Sequence, residues 1–383
     1  MRRASRPPVG IVAGEASGDL LGSLLIRALR EAGLEADCYG IAGPKMQAQG
    51  ARSLFPMETL SVNGYVEVLH SLRRILSIRS QLKSRLLRDR PKLFIGIDAP
   101  DFNLSLEAKL KRAGIPTVHF ISPSIWAWRR KRIDKIRRAA SHMLLIFPFE
   151  EEIYRQEGIP ATYVGHPLAH VLPEKPERGP ARDKLGLEAD GTYFALLPGS
   201  RQSELQQLAG LYLETAKRLF AQRPEIRFLV PLATRETRRL FEQAMHEADA
   251  EDLPIRIVFG HAHDVLQAAD AALVASGTAT LEAALLDCPH IITYKVPWLT
   301  YQIMKRQAYL PWVGLPNILA GRDVVPELLQ ERANPEALAE TALALLTDDT
   351  LRKGMLDAFA DIRRSLRRDT PRLIAQALAP YLK

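Results

Sequence analysis

Apolar residues along the chain gather into short runs rich in β-branched side chains. Longer stretches between them repeat apolar positions at helical spacing, the pattern of βα units that build a parallel sheet. In the first half the runs cover residues 9–13, 36–41, 93–97, 117–121, 143–147 and 161–164. Prolines and charges then crowd residues 167–190, which reads as a linker. The pattern restarts at 193–197, 227–230, 255–259, 271–275 and 290–294, and helical sequence continues to the C-terminus. The chain is therefore expected to be α/β, with two doubly wound Rossmann-like units at residues 1–170 and 190–345. Helices at 346–383 are expected either to return to the first unit or to exchange with a second chain in a homodimer. Such units bind ligands at the carboxyl ends of their strands, so the site is expected where the two sets of loops face one another across a cleft.

A length of 383 residues supports two packed cores, and 47% hydrophobic with 25% charged residues is an ordinary soluble balance. Cys38 and Cys288 stand alone, which gives no support to a disulfide framework or a structural zinc site. No uncharged stretch reaches the ~18 apolar residues of a membrane span. The apolar run behind the basic N-terminus is too short for a signal peptide, so the protein is expected to stay on the cytoplasmic side.

The net charge of +8 is concentrated. Residues 73–90 carry seven basic side chains against Asp89, and residues 129–138 carry seven against Asp134. The first cluster lies on an amphipathic helical segment in which Tyr65, Val68, Leu69, Leu72, Leu76, Leu82 and Leu86 recur near helical period, widened by Ile75 and Ile78. Leu82 and Leu86 are expected in the core. The portion from 66 to 78, with Val66, Val68, Leu69, Leu72, Arg73, Ile75 and Leu76, is the candidate contact with an anionic membrane surface. The second cluster follows Trp126 and Trp128, a composition that suits a membrane interface, an acceptor phosphate or nucleic-acid stacking equally. No nucleic-acid recognition motif accompanies it, so a nucleic-acid partner is not expected.

Four strand-to-helix junctions carry candidate chemistry. The first, from Val9 to Gly22, is a glycine-rich turn that contains Glu15, Ser17 and Gly18. Its helix amides could cradle an anion or a sugar hydroxyl, and Ser17 and Asp19 could equally just cap and charge the first turn. In the second half, Ser200 and Arg201 follow one predicted strand, and Ser276, Gly277, Thr278, Ala279 and Thr280 follow another. Exposed helix amides with Arg201 would hold a diphosphate, and Glu282 is placed to accept ribose hydroxyls. Asp98 ends the run at 93–97, where a fixed carboxylate can take a proton from an attacking hydroxyl. Asp101 or Asn103 would then cap the following helix. Neither a G-x-S-x-G nor an H-E-x-x-H motif occurs, and no metal is indicated.

Taken together, AGEASGD at 13–19, SVNGYVEVL at 61–69, GIDAPDFN at 96–103, SPSIWAW at 122–128, LPGSR at 197–201 and SGTATLE at 276–282 resemble the lipid A disaccharide synthases, bacterial glycosyltransferases of GT-B architecture. One departure is Ala42, where the family usually has glycine. The resemblance implies transfer of 2,3-diacylglucosamine from UDP-2,3-diacylglucosamine to the 6-hydroxyl of 2,3-diacylglucosamine 1-phosphate, with inversion, release of UDP and neither metal nor cofactor. It implies peripheral attachment to the inner face of the inner membrane. It also brings Asn317 to the donor site through GLPNIL at 314–319. Glu15, Ser17, Gly18 and Asn63 are expected on the acceptor side. Two other readings stay open: a related UDP-sugar enzyme of the same architecture, which would lack the segment of Trp126 and Trp128, and a nucleic-acid-binding protein, which would show no affinity for UDP.

Overall fold

The computed structural model describes residues 6–60, 68–127, 130–297, 301–302 and 309–382. The chain divides into two compact units, 1–170 with 366–383, and 171–365.

The first unit holds a parallel sheet in the order β3-β2-β1-β4-β5-β6-β7. Its strands are β1 (Pro8–Ala13), β2 (Asp37–Ile41), β3 (Arg52–Ser53), β4 (Leu93–Ile97), β5 (Thr117–Phe120), β6 (His142–Leu145) and β7 (Ala161–Tyr163). Helix α1 (Ala16–Glu31) follows β1, α2 (Pro44–Ala48) follows β2, and α3 (Val68–Asp89) precedes β4. Beyond β4 come α4 (Pro100–Arg112), α5 (Ile133–Ala139), α6 (Glu150–Gln156) and α7 (Pro167–Val171). Strand order reverses between β1 and β4, so the loops leaving these two neighbours open a crevice at the sheet's carboxyl edge.

Glycine decides how closely the layers approach. A Cβ on Gly10 of β1 would lie 2.7 Å from Leu86 Cδ2, so only glycine lets the C-terminal half of α3 lie on the sheet. Leu82 and Leu86 are fully buried there, as their periodicity indicated. Ile78 is also buried, whereas Leu72 and Leu76 are nearly half exposed, so the open apolar face of α3 ends at Leu76.

The second unit repeats the plan with order β10-β9-β8-β11-β12-β13. It comprises α8 (Arg178–Leu185), β8 (Thr192–Leu197), α9 (Gln202–Gln222), β9 (Ile226–Leu232), α10 (Arg235–Glu247), β10 (Ile255–Phe259), α11 (Ala262–Ala268), β11 (Ala271–Ala275) and α12 (Thr278–Leu285). After these come β12 (His290–Tyr294), α13 (Leu315–Ala320), β13 (Glu327–Leu329), α14 (Pro335–Thr347) and α15 (Asp349–Leu366). The crevice here lies between β8 and β11.

The segment 167–190 departs from the linker expectation. It carries α7 and α8, and Arg182 of α8 is 5% exposed, paired with Asp270 at 3.0 Å and stacked 4.9 Å from the Tyr193 ring centroid. Most of α15 belongs to the second unit, and α16 (Thr370–Leu382) packs on α1 in the first.

Candidate functional site

In the first unit, β4 ends at Ile97, and Asp98 and Ala99 both adopt left-handed backbone, with φ of 50° and 42°. Two adjacent non-glycine residues in that region cost about 1–2 kcal/mol each, strain of the kind found at functional turns. Asp98 is half-buried at this strand end. A Cβ on Gly14 would lie 2.9 Å from Ala99 Cβ, so the β1–α1 turn and the Asp98 turn touch. Glu15 is the exposed N-cap residue of α1 and makes no side-chain cap bond, and Ser17 is exposed beside it.

The structure separates residues that the sequence motif grouped. Gly18 is buried against Ala13 and Ile97, so it serves helix packing. Asp19 is 3% exposed and accepts the amides of Lys45 and Met46 at 2.9 and 3.0 Å, which ties α1 to the start of α2 instead of capping its own helix. Neither Asp101 nor Asn103 caps α4, whose N-cap residue is Ala99. Asp101 faces outward and pairs with Arg132 at 2.7 Å, while Asn103 is fully buried and donates from Nδ2 to the carbonyls of Ile97 and Asp98 at 3.3 and 2.9 Å. Asn63 and Val66 lie outside the described residues, as do Tyr65 and Trp128. Val68 and Leu69 start α3. Arg73 is exposed and Ile75 half-buried on that helix.

Further along the same edge Trp126 joins a cluster around Glu150, a residue that sequence reasoning did not single out. Glu150 opens α6 in a run of three glutamates that reads as a solvated helix start, yet it is 1% exposed. It accepts the Phe147 amide and the Trp126 indole N–H, both at 3.1 Å. Burial pushes its carboxyl up to about 8, against the pull of the hydrogen bonds from Phe147, Trp126 and Ser122. Trp126 meets Phe147 and Phe149 edge-on with ring centroids 6.0 and 5.2 Å away. His166, 5.4 Å from Phe147, is pushed down to about 4 by burial.

In the second unit, the turns after β8 and β11 leave neighbouring strands at the switch point. Glu204 on α9 folds back and accepts the amides of Ser200 and Arg201 at 3.1 and 3.3 Å, so the Ser200 amide is taken and its side chain is left exposed. Arg201 is 80% exposed and touches Glu204 at 3.4 Å. Tyr294, at the end of β12, belongs to the same electrostatic neighbourhood. Burial and the Glu204 carboxylate push its phenol up, and Arg201 draws it down. No side chain caps α12 at Gly277, and no atom lies within 4 Å of where a Cβ on Gly277 would stand. A helix's first amides have no intrahelical partner, so this end presents N–H groups and a positive dipole to open space beside Thr278 and Ala279. Ser276 is half-buried, and Thr280 is buried with its hydroxyl donating to Gly277 O at 2.8 Å. Glu282, one turn in, lies 3.3 Å from His263, whose pKa is raised mainly by that hydrogen bond.

Asn317 is fully buried. Its amide donates to Val325 O and Glu327 Oε1, and its oxygen accepts the amides of Val324 and Val325, all at 2.8 Å. That uses the side chain's whole capacity, so Asn317 can act on a ligand only by holding the loop it braces. Among the described residues, no three His, Cys, Asp or Glu side chains converge as a metal site requires.

The model of the lipid-A-disaccharide synthetase family matches residues 9–379. The chain belongs to this family. A lipid-A-disaccharide synthase from Methylobacillus flagellatus is 57% identical over 98% of this chain and 100% of its own length. That from Pseudomonas aeruginosa is 49% identical over 97% of each. Among solved structures, a putative UDP-N-acetylglucosamine 2-epimerase from Listeria monocytogenes aligns with a TM-score of 0.66 at 12% identity, over 98% of this chain and 95% of its own. The Acinetobacter baumannii MurG structure aligns with 0.56 at 13% identity, over 98% and 99%. At these identities the likeness concerns the fold alone, and it is the GT-B plan of two parallel-sheet α/β units. The family assignment rests on sequence similarity along nearly the whole chain.

Proposed function

We propose that the protein forms the lipid A disaccharide by transferring 2,3-diacylglucosamine from UDP-2,3-diacylglucosamine to the 6-hydroxyl of 2,3-diacylglucosamine 1-phosphate. The observation that carries the reading is the pair of switch-point sites in a chain of this family. One offers a carboxylate at the strained Asp98 turn, the other an uncapped helix end at Gly277 with the exposed guanidinium of Arg201. Asp98 takes the proton from the acceptor hydroxyl as its oxygen attacks the anomeric carbon. The bond from that carbon to UDP breaks with inversion, and UDP leaves with the electron pair. Arg201 and the amides at the start of α12 meet the charge that grows on the diphosphate. Glu15 and Ser17 belong to the acceptor side, and Glu282 to the ribose.

The test is UDP release from UDP-2,3-diacylglucosamine in mixed micelles, with and without 2,3-diacylglucosamine 1-phosphate. Acceptor-dependent release is expected; no release with this acceptor would sink the reading.

If Glu282 holds the ribose, His263 fixes the carboxylate's rotamer. The variant His263→Ala is expected to weaken binding of UDP about three- to tenfold, the worth of one hydrogen bond, and 2′-deoxy-UDP much less. Equal losses for both nucleotides, measured by calorimetry, would remove Glu282 from the ribose.

The protein works at the inner face of the inner membrane in this reading, attached through α3. No helix among the described residues is long and apolar enough to cross a membrane. Support comes from the exposed Leu72 and Leu76 beside the exposed Arg73 and Arg74. Joint Leu72→Ser and Leu76→Ser replacement is expected to reduce binding to vesicles with anionic lipid about tenfold or more. A cosedimentation curve identical to the wild type's would place the contact elsewhere. Assembly as a homodimer by exchange of the C-terminal helix belongs to the same reading, and a light-scattering mass at low concentration tests it.

A further inference from the structure

The left-handed turn at Asp98 is held from inside the fold by polar groups with no evident structural reward. Asp98 N–H donates to Phe120 O at 2.9 Å, and Asn103 Nδ2 spans the Ile97 and Asp98 carbonyls. One helical turn beyond Asn103, Glu107 accepts from His119 Nδ1 at 2.7 Å, and both side chains are fully buried. Gly96 of β4, paired in register with His119, leaves room for them. A Cβ there would run into Glu107 Oε1 and lie 2.9 Å from Asn103 Cβ. His119, Glu107 and Asn103 thus form one buried column beneath the turn. Asn103 Oδ1, Glu107 Oε2 and His119 Nε2 have no hydrogen-bond partner among the described residues. Leucine and methionine would fill this space without stranding three polar atoms, and replacing a buried polar pair by apolar side chains of similar size is often neutral or stabilising. Stability therefore does not account for the column. Its connection to the turn does: the amide of Asn103 is bonded to the backbone of Asp98.

We propose that Asn103, Glu107 and His119 are positioning residues that hold Asp98 in its left-handed turn and so aim its carboxylate. Glu107 and His119 fix the inner face of α4, α4 fixes Asn103, and Asn103 fixes the turn. This rests on the reading of Asp98 as the base. Displacing a reacting group by about 1 Å can cost on the order of a hundredfold in rate while substrate contacts made elsewhere persist.

The experiment compares the double variant Glu107→Met with His119→Leu, the single variant Glu107→Gln, and Asp98→Asn, following melting temperature, kcat and the KM of both substrates. The double variant should melt at or above the wild type and lose about ten- to a hundredfold in kcat with KM within about twofold. Glu107→Gln keeps the bond to His119 and should stay within about threefold of wild-type kcat. Wild-type turnover in a folded double variant overturns the proposal. Should that variant fail to fold, Asn103→Ser decides, since it loses both bonds to the turn: a kcat loss at constant KM supports the proposal and unchanged kcat overturns it. An active Asp98→Asn protein would sink the base assignment itself, whereas an inactive one beside a fully active double variant would sink only the column.

Discussion

Replacing Asp98 by asparagine should lower kcat by about two to four orders of magnitude, the range general-base catalysis supplies, equivalent to roughly 3–5 kcal/mol of barrier. Asparagine keeps the shape and hydrogen-bonding reach of the carboxylate but cannot accept the acceptor's proton. It also tolerates left-handed backbone better than most residues, so the turn at φ 50° should persist and the fold with it. The proposed donor residues lie in the other unit, so heat protection by UDP should be the same in the variant as in the wild type. Loss of activity together with loss of UDP protection would mean that the substitution had damaged the fold. Retained activity would leave Glu15, on the touching turn, as the carboxylate to examine next.

The larger strands were legible because a parallel sheet buried on both faces needs continuous apolar runs, and runs such as 93–97, 271–275 and 290–294 match β4, β11 and β12 residue for residue; the edge strand β10, partly exposed, is matched at 255–259 through its β-branched residues. The edge strands β3 and β13 are two and three residues long, with one neighbour each, and no hydrophobic run marks them. The prolines of 167–190 suggested a linker because composition does not reveal that Arg182 finds Asp270 across the fold. In the site, the exposed members of each motif could be inferred, since helix ends and strand ends follow from the βα pattern. Which members are sealed inside could not. Asn317 and Thr280 look like ligand residues in sequence, and only the loop at 323–327 and the helix turn at Gly277 show where their polar atoms go. Asn103 has the residue type and place of a cap, and bonds the strand end behind it instead. Glu150 is the extreme case, because nothing in three successive glutamates tells which one the aromatic cluster will cover.

That covered glutamate should make the stability of the first unit fall with pH in a range where most proteins are indifferent. Burial holds the Glu150 carboxyl up to about 8, against the ordinary 4.5 that the unfolded chain would show. Below 4.5 both states carry the proton, and its stabilising contribution is whole. As pH rises towards 8 the unfolded state releases the proton while the folded state retains it, so stability drains away until the folded group ionises too. His166, pushed down to about 4 by burial, and His142, also lowered by burial, act in the opposite sense, since their neutral forms favour the fold above 6.5 and that gain is lost as pH falls below it. The two effects oppose one another between 4.5 and 6.5, and above 6.5 only the glutamate's remains large. Cys38, pushed up to about 12, begins to favour the unfolded state only near its ordinary value of 9. Urea unfolding followed through the first unit should therefore lose about 2 kcal/mol between pH 6.5 and 8, at roughly 1.4 kcal/mol per unit of pH. Glu150→Gln should be less stable than the wild type at pH 6.5, because the amide presents one donor where Phe147 and Trp126 require two acceptors, and its pH slope should be nearly flat. A variant with the wild-type slope would show that Glu150 is already ionised at neutral pH, and that the Trp126 indole and the Phe147 amide hold a buried anion.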